Sequence, residues 1–300
     1  AYIPSSVTEI GDAAFNGCSY LENIDISYGV KSIGASAFTG CTRLKSLVLP
    51  DSVTETGMYC FENCNSLETV VISNNLTTLR NRTFSNCSSL KNITFSKKTN
   101  SISSGVFSGC TSLENVYYAG TLHNWCSISF SSEFGNPLAY ADCLYVNGKK
   151  VSSSLVIPDS CTSVKSYAFY GASFIETVQF PSSVTYIGEY AFSECDNLKN
   201  ITFTQNLKTI SRCAFENCDS LEEITIPKSV TEIKDQAFNN CKNLTSINVA
   251  EGNTTYSSDS DGVLFSKDKK TLVSYPTANA SSTYTVPESV PKIKPFPFFG

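Results

Sequence analysis

Apolar and polar residues along this chain follow a pattern that returns every 23 positions, and "LEEITIPKSVTEIKDQAFNNCKN" from Leu221 shows one period. Leu221, Ile224 and Ile226 have the spacing of a strand with one buried face. Pro follows the strand directly in several copies (Pro50, Pro181, Pro227), ending it because Pro has no N–H to give to a ladder. "V-T-x-I" predicts a second short extended piece. "x-x-A-F-x" predicts about one helical turn, closed by Gly17, Gly40, Asn63, Asn86 or Gly109, residue types that tolerate the left-handed conformation at a helix end.

The Phe of each "A-F" pair marks the period: Phe15, Phe38, Phe61, Phe84 and Phe107, then Phe169, Phe192, Phe215 and Phe238, and finally Phe298. A strand, a bend and one turn cannot bury their own apolar face. Copies laid side by side can, because their strands pair and their Ile, Leu and Phe side chains merge into one core. The pattern therefore predicts a repeat solenoid with a parallel strand face, short extended segments and single-turn helices. Two steps are longer than 23, from Phe107 to Phe169 and from Phe238 to Phe298, which places irregular insertions at about 119–155 and 250–284. The first contains "LYVNGKKV", where Asn147-Gly148 between apolar runs signals a hairpin; the second contains "GVLFSKDKKTLVSYP", a hairpin whose charged turn runs from Lys267 to Lys270.

The unit, with its paired A-F and the Cys three residues after the Phe, resembles the BspA-like leucine-rich repeats of bacterial and protozoan surface proteins, over nearly the whole chain. Departures are Thr56 where Ile is usual, Ala172 for Cys, Glu194 for Gly or Asn, and Pro295 and Pro297 in the last turn. The resemblance implies a leucine-rich-repeat right-handed superhelix and a place outside the cell or on its surface. It also implies a non-enzymatic adhesion or protein-binding role, with host extracellular matrix proteins such as fibronectin as the partner class. A rigid spacer or self-associating stalk of a larger surface protein is the alternative. Both insertions resemble irregular coils of that family, so residues 1–300 are expected to form a single solenoid domain.

Composition agrees with an ordered core, at 41% hydrophobic and 12% aromatic residues. Net charge is −5, and the 22 basic residues are scattered without a cluster, so no footprint for nucleic acid or an anionic membrane is visible. No apolar run is long enough to span a bilayer, and the first residues have no signal-peptide pattern; since the chain does not begin with Met, it reads as a segment of a longer protein.

Candidate chemistry is sparse. Cys18, Cys41, Cys64, Cys87, Cys110, Cys195, Cys218 and Cys241 share one repeat position. A 23-residue period draws them into a line, whereas a metal site needs convergence and a disulfide needs Cβ vectors that point together. Buried reduced thiols are the expectation. Cys60, Cys126, Cys143, Cys161 and Cys213 lie off this ladder, and 13 cysteines cannot all pair within one chain. His123 and Cys126 have the helical spacing of a base and a thiol nucleophile, but no third residue that would orient the His is evident. "DSDG" at 259–262 carries part of a calcium-loop pattern without the distal Glu and fits a turn leading into the hairpin. No cofactor or metal is expected. Asn92-Ile93-Thr94 and Asn279-Ala280-Ser281 are glycosylation sequons.

The second strand position alternates in sign: Glu22, Lys45, Glu68, Lys91 and Glu114, then Glu176, Lys199 and Glu222. In a parallel stack this becomes a ladder in which like charges never meet. The third and fifth strand positions point away from the core, so Thr69 and Val71, Asn92 and Thr94, and Asn115 and Tyr117 form the candidate ligand face. Tyr117 is its expected anchor, beside the insertion that carries Trp125, whereas Trp125 itself is expected to fill the core.

Overall fold

The structure, a computed structural model, describes residues 1–279 and 283–295. Phe298, Pro297 and the Ala280 and Ser281 of the second sequon lie outside the described residues. The chain divides into two compact units, Ala1–Val151 and Ser152–Gly300. Each is a parallel β-solenoid.

In the first unit the "L-x-x-I-x-I" strands pair in parallel and in repeat register. Ser46–Val48, Thr69–Val71, Asn92–Phe95, Asn115–Tyr118 and Cys143–Val146 lie side by side, and Lys149–Lys150 is added antiparallel at the edge. The "V-T-x-I" pieces make further parallel ladders, Glu9–Ile10 with Ser32–Ile33 and Glu55–Thr56, and Thr78–Leu79 with Ser101–Ile102 and Ser129–Phe130. Stacking every copy at one height lets Leu47, Val70, Ile93 and Val116 form one buried row. Each fully buried side chain of this kind contributes about 1.5–3 kcal/mol.

The A-F segment is not an α-helical turn; the one α-helix among the described residues is Leu122–Cys126. Alternate amides point in different directions. The N–H groups of Ala13, Phe15 and Gly17 donate to the carbonyls of Ala35, Ala37 and Thr39 in the next coil at 2.9, 2.7 and 2.8 Å, while those of Ala14, Asn16 and Cys18 bond back to Gly11, Ala13 and Phe15. Two left-handed residues per coil produce this alternation. One is the expected Gly or Asn after the Phe (Gly40 φ 73°, Asn63 φ 60°), and Glu194 adopts the same conformation at φ 60°. The other lies two residues before the Phe and has no typical residue type: Ala13, Ser36, Tyr59, Arg82, Gly105, Tyr167, Tyr190, Cys213 and Gln236.

Holding each turn to the next coil aligns the rings. Phe15, Phe38, Phe61, Phe84 and Phe107 stack at centroid distances of 4.9, 5.2, 5.6 and 6.1 Å, and Phe169, Phe192, Phe215 and Phe238 at 5.1, 5.5 and 5.9 Å. The cysteines run beside them. Cys41 donates its thiol to the carbonyl of Phe15 at 3.3 Å, one coil back, and Cys64, Cys87 and Cys110 repeat the contact with Phe38, Phe61 and Phe84. In the second unit Cys195, Cys218 and Cys241 do the same with Phe169, Phe192 and Phe215. Ala172 opens that second series, where no A-F coil of the unit precedes it to supply an acceptor. None of the 13 cysteines is joined in a disulfide. Of the ladder positions only Cys18, in the first coil, is exposed.

The first insertion continues the ladders of its unit. Phe107 N–H bonds to Phe134 O, Ser129–Phe130 pairs with Ser101–Ile102, and Cys143–Val146 takes the strand position after Asn115–Tyr118. That coil is longer than its neighbours because it houses the helix Leu122–Cys126, N-capped by Thr121. Trp125 is fully buried there between Tyr118 and Phe130. The expected Asn147-Gly148 hairpin turn forms, with φ of 48° and 73°.

The second unit repeats the scheme with Ser154–Val156, Thr177–Gln179 and Asn200–Thr202 on one ladder and Ser163–Val164 to Glu232–Ile233 on another. Its insertion forms the expected hairpin, Leu264–Ser266 antiparallel to Thr271–Ser274, over a small core of Val263, Phe265 and Leu272. Lys292–Ile293 then pairs in parallel with Thr271–Ser274.

Candidate functional site

The six residues singled out from the sequence all lie on the strand face of the first unit, in two adjacent rows. Thr69, Asn92 and Asn115 form one row and Val71, Thr94 and Tyr117 the other, each aligned by cross-strand pairing. Ser46 and Val48 extend the rows on one side, and Cys143 and Tyr145 on the other. Thr69 and Val71 are exposed; Asn92, Thr94, Asn115 and Tyr117 are half-buried. The strand period explains this, since residues between the buried Val70, Ile93 and Val116 must face outward.

The first row is an amide and hydroxyl strip in which Asn115 Nδ2 donates to Asn92 Oδ1 at 3.0 Å. The second row runs from aliphatic to aromatic. Val48 is 62% exposed and Val71 39%, and the far end is a stacked pair, Tyr117 on Tyr145, with centroids 4.8 Å apart and planes at 23°. Tyr145 is the neighbour on this face that the sequence reading did not assign to it. The signal was present in "LYVNG", but the longer insertion coil hides its register with Tyr117 until the strands are seen to pair.

Lys150 is placed opposite Tyr145 by the antiparallel edge. A hydrogen bond with the Cys143 side chain raises the Lys150 pKa above its ordinary value, so the amine is charged at neutral pH. The rows thus offer an apolar strip, two stacked phenols, hydrogen-bonding amides and one cation at the edge. They suit contact with a surface, and Thr69, Val71, Asn92, Thr94, Asn115 and Tyr117 contain no nucleophile–base pair.

The remaining candidates fall elsewhere. His123 and Cys126 share the short helix, but Nδ1 of His123 is buried without a hydrogen-bond partner, so this nitrogen is not coupled to the thiol. Asp259 uses Oδ1 to accept from the amides of Asp261 and Val263 and Oδ2 to accept from the Tyr284 hydroxyl, as a hairpin-leading turn requires. Among the described residues no three His, Cys, Asp or Glu side chains gather where they could share a metal ion. A groove of about 550 Å³ lies on another face of the first unit, lined by Glu9, Asp12, Glu55, Met58, Tyr59 and Arg80 among others, and Arg80 neutralises Glu55 across it at 2.6 Å.

The family model for the BspA type leucine-rich repeat region matches residues 2–134 and 145–260, in six copies. The chain belongs to the BspA-type leucine-rich repeat family. A leucine-rich repeat protein from Bacteroides ovatus is 29% identical to it, with a TM-score of 0.55 over 84% of this chain and 72% of that one. A leucine-rich cell surface protein from Faecalibacterium prausnitzii shares the fold at 24% identity and a TM-score of 0.54, over 84% and 73% of the two chains. The pneumococcal vaccine antigen PcpA shares it at 17% identity and a TM-score of 0.53, over 97% and 73%. A comparison with curated protein sequences finds no match. No helix among the described residues of this BspA-type chain is long and apolar enough to cross a membrane.

Proposed function

We propose that this chain is a non-enzymatic, cell-surface protein-interaction module that docks a protein ligand, of the extracellular-matrix class, on the strand face of its first unit. The observation that carries the reading is the stacked Tyr117–Tyr145 pair at the end of the aligned row Val48, Val71 and Thr94. Large, stiff aromatic side chains dominate interface energies because they cover much area while losing little rotamer freedom. These two rings sit outside the core on a backbone fixed by neighbouring strands, so little ordering is needed on binding. Membership of the BspA-type family and the likeness to a leucine-rich cell surface protein of Faecalibacterium prausnitzii support a surface location.

The test is binding of immobilised chain to fibronectin and other matrix proteins, measured for the natural chain, Tyr117→Ala and Tyr145→Ala. Each substitution should weaken binding at least tenfold, about 1.4 kcal/mol, and leave the thermal midpoint within a degree or two. Unchanged binding by both variants sends the search to another face. An inert natural chain that is extended and monomeric would favour the spacer reading.

A further inference from the structure

We propose that the edge of the second unit formed by Lys267, Lys269, Lys270 and Lys292 is a docking ridge for a linear sulfated polysaccharide. Three of the four amines sit in the turn between Leu264–Ser266 and Thr271–Ser274. The fourth is distant in sequence and arrives by strand pairing: Thr271 is in register with Lys292, whose N–H donates to Lys270 O at 3.2 Å. All four side chains are exposed.

The one acid within the turn is occupied. Asp268 Oδ1 accepts from Ser266 Oγ at 2.7 Å and from Lys270 N at 3.1 Å, and these bonds hold its carboxyl below the usual carboxylate range. Ser266 Oγ in turn accepts from Thr271 N at 2.9 Å, and Lys269 closes the turn at φ 54°. The turn therefore has a fixed shape, and with one carboxylate set against four ammonium groups the ridge keeps a net positive charge. Among the described residues no carboxylate lies within ion-pair distance of these four amines, whereas the neighbouring Lys294 is bridged to Asp235 at 3.1 Å and Lys242 to Asp219 at 2.6 Å. Like charges held together in this way repel one another, and a bound polyanion turns that repulsion into attraction.

The choice of a slender polymer follows from the rest of the molecule. With a net charge of −5, the chain is repelled by an extended anionic plane such as a bilayer, while a single polymer strand engages the ridge alone, within a Debye length of about 8 Å. Ammonium groups on flexible stems suit sulfate and carboxylate groups spaced along a sugar chain. A nucleic acid would also want rings to stack on, and among the described residues beyond Tyr186 no aromatic side chain is fully exposed.

The experiment measures binding of the whole chain to a heparin oligosaccharide across a salt series, with a desulfated oligosaccharide, phosphatidylserine vesicles and single-stranded DNA as competing probes. Lys269→Glu/Lys270→Glu should raise Kd at least tenfold and flatten the dependence of log Kd on log salt by roughly one unit per amine lost. Lys267→Gln/Lys292→Gln should act in the same direction without touching the left-handed residue of the turn, and melting of each variant reports its folding. Lys97→Glu/Lys98→Glu, an exposed pair in a turn of the first unit, should change little. Retained binding in both ridge variants, an equal loss from Lys97→Glu/Lys98→Glu, equal affinity for the desulfated oligosaccharide, or tighter binding to vesicles or DNA would each overturn the proposal.

Discussion

The thiol ladder shows how one residue type can serve packing and backbone bonding together. A Cys side chain fills the space of a small hydrophobe, and its weak S–H donor reaches the carbonyl of the Phe one coil back at 3.1 to 3.3 Å. Burial raises the cost of the thiolate, so the pKa of Cys41 is pushed up to about 12 with help from the neighbouring Cys64 and Cys18, and that of Cys110 also to about 12. Two measurements follow from this. In native protein an alkylating reagent at pH 8 should label Cys18 rapidly and the buried ladder positions only after denaturant is added. Because the folded pKa lies above the ordinary thiol value near 9, the stabilisation is fully present below pH 9 and is lost as pH rises toward 12. Denaturation midpoints that stay constant from pH 8 to 11 would contradict the assignment.

Among the elements, the charge ladder is a series of separate pairs. Each Lys bonds the Glu of the preceding coil, Lys45 to Glu22 at 4.0 Å, Lys91 to Glu68 at 3.5 Å and Lys199 to Glu176 at 3.0 Å, and all are well exposed. Such pairs contribute about 0.2–1 kcal/mol, and the alternating sign acts mainly to keep like charges apart. Lys45→Glu places three acids in a row and should lower stability by about 1 kcal/mol or less at low salt, with most of the loss recovered in 1 M NaCl, where the Debye length is about 3 Å; urea titration at the two salt concentrations measures this. The alternation, the strand register, both hairpins and the left-handed residue after each Phe were legible in the sequence because each has its own residue signature. The left-handed residue before the Phe had none, since Ala13, Ser36, Tyr59 and Arg82 share no side-chain chemistry; the hydrogen bonds to the next coil impose the conformation. For the same reason "x-x-A-F-x" read as a helical turn. On the candidate face, Thr69 to Tyr117 could be placed by counting, whereas Tyr145 lies beyond a coil of different length. Three of the ridge lysines were legible as the charged turn from Lys267 to Lys270, but the fourth joins them only when Lys292 pairs beside the hairpin.

For the molecule as a whole, stability in a stacked-coil architecture is set by contacts between neighbouring coils, so a core defect should act locally before it acts globally. Phe61 tests this within the first unit. Its ring is fully buried and stacks on the adjacent rungs, Phe38 at 5.2 Å and Phe84 at 5.6 Å, and its carbonyl receives the Cys87 thiol. Phe61→Ala removes both ring contacts and leaves a cavity flanked by two rings, a change that costs about 3–5 kcal/mol in ordinary cores. Amide hydrogen exchange should lose most protection at the turn ladder of the flanking coils, where Phe38 N–H donates to Cys60 O and Phe61 N–H to Thr83 O. Protection should be progressively better retained toward Asn115–Tyr118, so the Tyr117–Tyr145 face would keep its geometry while the middle of the stack loosens. Uniform loss across the first unit would show that its coils unfold as one cooperative block, and the nearest-neighbour description of its stability would then fail.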